Sequence, residues 1–171
     1  VLGGVDNGLF AQPAEVAPYD VAYGRALDAV ALVAADLGPF EGSLCIENVW
    51  NKFLLSPLEM RSFIDAVGSP QVGVYFDVDN IMVYGYPEQW IRILGPRIRR
   101  VHLKDFRRAV GTLHGFVGLL QGDVDWPAVA TALDEIGYAS YLTAEVLPAY
   151  PHQGERLIHE CAGAIDAVFG G

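Results

Sequence analysis

The chain has 171 residues, 52% of them hydrophobic and 19% charged, with a formal net charge of −10. This is the composition of one globular domain with a sizeable core, spanning residues 1–171, and not of a disordered segment. The excess of carboxylates repels phosphate backbones and anionic membrane surfaces, so neither nucleic acid nor a membrane is expected as a partner. No apolar stretch approaches the roughly 18–20 residues that a membrane span needs. No secretory leader pattern opens the chain, which makes a cytoplasmic location the default expectation. Cys45 and Cys161 lie far apart in apolar surroundings and read as two buried, reduced thiols.

The opening residues Val1–Val5 read as the tail of a strand that runs into a loop. Between Tyr19 and Leu37, apolar side chains recur with helical spacing, and Gly38-Pro39 stops the pattern. Leu44–Trp50 is short and mostly apolar, as a buried parallel strand is. Ser56-Pro57-Leu58-Glu59 is a capping box with proline at the first helical position, and it opens a helix to Val67 that Gly68-Ser69-Pro70 ends. Val72–Asp77 is the next strand, Pro87–Leu94 a helix broken at Gly95-Pro96, and Ile98–Lys104 a further strand. Phe106–Asp125, rich in glycine, reads as a loop. A helix over Trp126–Ile136, a strand over Tyr141–Val146 and a helix over Gln153–Val168 complete the chain. Strand and helix signals thus alternate with a period of about 30 residues, which implies an α/β fold with a parallel sheet covered by helices.

Four residues of metal-ligand type, Glu47, Asp77, His102 and Glu145, fall near the C-terminal ends of four successive strands. In a closed parallel barrel those ends converge on one face, where the loops build the active site. A single acid at a strand end is most often an N-cap or a surface group, and a lone histidine after an apolar strand is most often a satisfied core residue. The same position in four consecutive units is what points to a cation. Three carboxylates and an imidazole make a hard, oxygen-rich donor set suited to Mn, Mg or Co and tolerant of Zn.

The segments around these residues carry a resemblance. Ile46–Phe53, Phe76-Asp77-Val78-Asp79-Asn80 followed by Tyr84–Ile91, Val101–Phe106, Gly122–Trp126 and Thr143-Ala144-Glu145 resemble, in order, the strand motifs of the sugar phosphate isomerase/epimerase family. L-xylulose- and L-ribulose-5-phosphate 3-epimerases and ketose 3-epimerases are the nearest look-alikes. The resemblance implies a (βα)8 TIM barrel of the xylose isomerase-like kind with one divalent metal on Glu47, Asp77, His102 and Glu145. It also implies that Glu47 and Glu145 are the catalytic acid/base pair, acting on a small-molecule sugar or sugar phosphate. Arg108 stands where related epimerases carry a substrate-contacting arginine, and Asn80 where some carry a histidine that contacts substrate. Lys104 either orients a substrate hydroxyl or phosphate or pairs with its neighbour Asp105, and the pairing is the simpler reading. Asn51 and Lys52 are weaker candidates for the pocket. Asp79 occupies a place where the family usually has glycine, which adds a charge close to the metal. The three tryptophans, Trp50, Trp90 and Trp126, read as packing residues, and His114, His152 and His159 as surface ones.

A complete barrel of this type takes about 250 residues and eight strands. The motifs here account for about five βα units, the C-terminal part of such a barrel. An open parallel sheet exposes two edges and an apolar face, so self-association into a homo-oligomer is expected, with weak or no turnover in this truncated chain. The same site chemistry serves a ketose 3-epimerase and an aldose–ketose isomerase. An apurinic endonuclease on this barrel would need several more histidines. A non-catalytic metal-binding or assembly remnant of an enzyme is the alternative from a different class.

Overall fold

In the computed structural model, residues 16–39, 41–147, 149 and 151–170 are described. The strand expected at Val1–Val5 lies outside them. The elements follow in the order α1 (Tyr19–Asp36), β1 (Leu44–Glu47), α2 (Pro57–Val67), β2 (Val72–Asp77), α3 (Pro87–Leu94), β3 (Ile98–Leu103), β4 (Asp105–Phe106), β5 (Phe116–Val117), α4 (Trp126–Glu135), β6 (Leu142–Ala144) and α5 (Gly154–Phe169). Among the described residues the larger sheet has the strand order β1-β2-β3-β6. The β1–β2 and β3–β6 ladders are parallel, with Glu47 opposite Tyr75 and His102 opposite Thr143. The fold is thus α/β, a parallel sheet with helices. Cys45 and Cys161 form no disulfide, and both are half-buried rather than fully enclosed.

The chain divides into two compact units, Val1–Phe76 with Ile93–Arg99, and Asp77–Arg92 with Arg100–Gly171. In the first unit the helix signals of the sequence act as local chemistry predicts. The Ser56 hydroxyl accepts the Glu59 N–H at 3.1 Å, Pro57 starts α2, and Gly68 ends it with φ 69°. Only a residue tolerant of the left-handed region ends a helix this way at low cost. The Glu59 carboxyl reaches past the cap: one oxygen accepts the Leu55 N–H at 2.9 Å and the other the Tyr19 hydroxyl at 2.6 Å. Tyr19 in turn accepts the Leu54 N–H at 3.1 Å, which ties the start of α1 to the turn before α2. Beneath this polar strap, Tyr23, Phe53 and Phe63 meet edge to face, with Tyr23 and Phe63 centroids 5.4 Å apart. Met60, Phe63, Val74 and Phe76 are fully buried.

The second unit is built round Val78, Ile81, Ile91, Val101, Leu103, Phe106 and Val129, all 0–1% exposed. Here one expectation is corrected. The stretch 106–125 is not a plain loop, because β4 and β5 form a short antiparallel pair with Asp105 opposite Val117 and Phe106 opposite Phe116. The reason is tertiary. The Phe106 and Phe116 rings stack edge to face at 5.1 Å, and the fully buried Asp105 gathers the backbone that follows. Its carboxyl accepts the N–H groups of Phe106 (2.9 Å) and Val124 (3.3 Å) and the Trp126 indole N–H (3.1 Å). Gly122 is required beside it, since a Cβ there would collide with Asp105 Oδ1 and stand 2.5 Å from the Phe106 nitrogen. At the far end α5 buries none of its residues, and Ile158 is 68% exposed.

Candidate metal centre

Each of the four ligand-type residues stands at or just past the end of a strand: Glu47 on β1, Asp77 on β2, His102 on β3 and Glu145 just after β6. Parallel strands send their C-terminal ends to one side, which is why an equal place along each strand becomes one place in space. In the second unit the structure brings Asp77, His102 and Glu145 together, with one ligand atom from each within 4.8 Å of the others.

Within the second unit the geometry is resolved atom by atom. His102 Nδ1 lies 3.8 Å from Asp77 Oδ2 and 3.6 Å from Glu145 Oε2. Neighbouring ligands of one ion at about 2.1 Å stand about 3.0–3.4 Å apart, a little less than these two separations. Asp77 is fully buried, and its other oxygen accepts the backbone N–H groups of Asp79 (3.0 Å) and Asn80 (2.9 Å). Those bonds fix the carboxylate so that Oδ2 faces His102. Backbone pairing holds the rest of the frame: the Val78 N–H donates to the His102 carbonyl, and the Glu145 N–H to the Leu103 carbonyl. Glu145 is the most open of the four, with its side chain 45% exposed.

Lys104 departs from its expected pairing. It is 5% exposed, and its ammonium lies 2.9 Å from Asp77 Oδ2 and 2.7 Å from Glu145 Oε2, while Asp105 is engaged by Trp126 and backbone donors. The alternation of β3 explains the correction: Lys104 follows His102 by two residues and points to the same side, whereas Asp105 points away. Burial works against the charged amine, but the Asp77 and Glu145 carboxylates outweigh it and hold the Lys104 pKa above its ordinary value.

Asp79 is fully buried, and neither oxygen of its carboxyl has a hydrogen-bond partner among the described residues. Burial, with the charges of Asp77 and Asp105 next in weight, pushes its pKa well above the usual carboxylate range. The extra charge that the sequence suggests at this place is therefore opposed by the surroundings. Asn80 is buried at 6% exposure, and Asn51 at 8%. Arg108 is exposed; its guanidinium lies over the Tyr86 ring at 4.9 Å and reaches Met82 Sδ at 3.6 Å, while its N–H donates to Asp123 Oδ2. Trp90 and Trp126 are core residues, and His114, His152 and His159 are exposed, as the sequence suggests. Asp105 is the residue that sequence reasoning passed over. Its signal, a polar residue closing an apolar strand, is too common to single it out.

The family description "Xylose isomerase-like TIM barrel" matches residues 2–162. The chain belongs to the xylose isomerase-like TIM barrel family. No curated protein matches it. Among solved structures of similar fold, a D-psicose 3-epimerase studied in the presence of D-fructose is 17% identical with a TM-score of 0.75, covering 92% of this chain and 60% of its own. The IOLI protein with a bound zinc atom is 18% identical, with a TM-score of 0.79 and coverage of 91% and 59%. An L-ribulose 3-epimerase is 25% identical, with a TM-score of 0.66 and coverage of 85% and 48%. This xylose isomerase-like chain therefore spans at most 60% of the length of these relatives. Among its described residues no helix is long and apolar enough to cross a membrane.

Proposed function

We propose that the chain carries the metal-dependent site of a ketose or ketose-phosphate 3-epimerase or isomerase. The observation that carries this reading is the meeting of Asp77, His102 and Glu145 at strand ends of the second unit, with Glu47 at the matching end of β1 along the chain. Glu47, Asp77, His102 and Glu145 would hold one divalent cation of the Mn, Mg, Co or Zn type. Bound there, it would supply positive charge next to the substrate oxygens on which negative charge develops. Glu47 and Glu145 are the acid/base pair: one carboxylate takes the proton from the carbon beside the ketone, and the other returns one to the opposite face. The openness of Glu145 gives it access to a substrate carbon. Asp77, fully buried and held by two backbone donors, is suited to ligation and not to proton transfer. Arg108 and Asn80 contact the sugar, Arg108 from the exposed rim where Tyr86 steadies its guanidinium.

A metal-binding remnant of such an enzyme, without turnover, is the second reading. One experiment separates the two. Mn²⁺ binding is measured by the loss of the free-ion EPR signal, and a panel of ketoses and ketose phosphates is incubated with the protein and Mn²⁺ in D₂O. Saturable binding that weakens at least about 100-fold in His102→Ala, with deuterium entering the substrate beside the carbonyl, supports the enzyme. Binding without deuterium uptake favours the remnant. No saturable binding sinks both.

A further inference from the structure

Lys104 stands out because its ammonium uses the oxygens that a divalent ion would use. Nζ lies 2.9 Å from Asp77 Oδ2 and 2.7 Å from Glu145 Oε2, and these two oxygens are the ones that flank His102 Nδ1. We propose that Lys104 is a tethered cation that competes with the divalent ion for Asp77 and Glu145, so that the ion binds by displacing the ammonium from them. This rests on the metal reading of the site and goes beyond it, because it assigns the lysine a function toward the ion and not toward the sugar.

The argument is electrostatic and geometric. A divalent ion bonded to both oxygens at about 2.1 Å, and an ammonium bonded to the same two at its present distances, would stand within a few ångströms of each other. The lysine side chain is only 6% exposed, so water screens that repulsion poorly. One of the two cations has to withdraw. The ammonium is the one able to do so, since it sits on a flexible four-carbon stem with three rotatable donors. The Phe116 ring, whose centroid is 5.1 Å from Nζ, offers the ammonium an aromatic face to lean on as it leaves the carboxylates. Phe116 is itself fixed by the β4–β5 pairing and by Phe106.

Two consequences follow. Lys104 keeps two adjacent carboxylates together when no divalent ion does so, by neutralising charges that would otherwise repel. It also sets a threshold for entry: a monovalent ion brings no more charge than the ammonium already supplies and gains nothing by replacing it, whereas a doubly charged ion does.

The test uses the full chain with Lys104→Met, and Lys104→Gln as a second variant that keeps a polar end, each checked for a cooperative melt. Mn²⁺ affinity is read from the free-ion EPR signal, and melting temperature is read in chelator and in saturating Mn²⁺. Competition predicts that either folded variant binds Mn²⁺ about tenfold tighter or more than the parent chain. It also predicts that the variant melts lower in chelator, with the gap narrowing when Mn²⁺ is saturating. Equal or weaker Mn²⁺ binding by a folded variant overturns the competition while leaving the metal site intact. Absence of saturable binding in the parent and the variants alike, unchanged by His102→Ala, overturns the metal reading and this inference with it.

Discussion

Removing the Asp105 carboxyl tests how the segment that carries Arg108 is held. In Asp105→Ala the Val124 N–H and the Trp126 indole N–H lose their acceptor, and both residues are buried at 8% and 6% exposure. A buried donor left without a partner costs about 1–3 kcal/mol, so the two together predict a loss of about 2–6 kcal/mol. The short Phe106 N–H bond to its neighbouring side chain adds little, because that donor lies on the adjacent residue. Against a typical domain stability of about 5–15 kcal/mol the loss is large and measurable. Asp105→Asn keeps one acceptor and turns an amide toward a donor, and is expected to lose a smaller amount. Urea unfolding followed by tryptophan fluorescence and far-UV circular dichroism gives the values. Hydrogen exchange over residues 106–124 is expected to speed up selectively, since Asp105 pins both ends of that stretch. A loss below about 1 kcal/mol in Asp105→Ala would refute the reasoning. So would an Asp105→Ala, Trp126→Phe double-mutant cycle with no coupling energy.

Two further outcomes concern the first unit. Ser56→Ala removes the oxygen that accepts the Glu59 N–H and is expected to cost about 1 kcal/mol in urea unfolding, with Ser56→Gly nearer the parent. The Tyr19 hydroxyl is pushed up from 10.0 to about 12, by burial first and then by its hydrogen bond to Glu59. A folded pKa above the unfolded one means that this contribution is fully present below pH 10 and is lost as the pH rises toward about 12. Melting temperature against pH for the parent and Tyr19→Phe should therefore converge across that window; curves that stay parallel would show that Tyr19 is not the titrating group.

The elements that came through from the sequence are those whose signals are local. Pro57–Val67 carries its own cap at Ser56 and its own stop at Gly68, and Val72–Asp77 and Pro87–Leu94 are bounded by turn residues. The meeting of Asp77, His102 and Glu145 was legible for a related reason: parallel strands convert an equal position in each repeat into a common position in space, so periodicity along the chain carries three-dimensional information. The β4–β5 pairing was not legible. Two-residue strands leave no periodic trace, and what selects them is the contact of Phe106 with Phe116 and the grip of Asp105 on Val124 and Trp126, across as many as 21 residues. The partner of Lys104 was not legible either. Asp105 is adjacent in the chain, but successive side chains on a strand point to opposite sides, and only the assembled sheet sets Asp77 and Glu145 within reach of the ammonium. The sequence by itself therefore determined the helices and the longer strands among the described residues, because each depends on neighbours within a few residues. Which charges face one another across the site was decided by tertiary structure, because a Coulomb interaction depends on separation in space and has no counterpart in sequence distance.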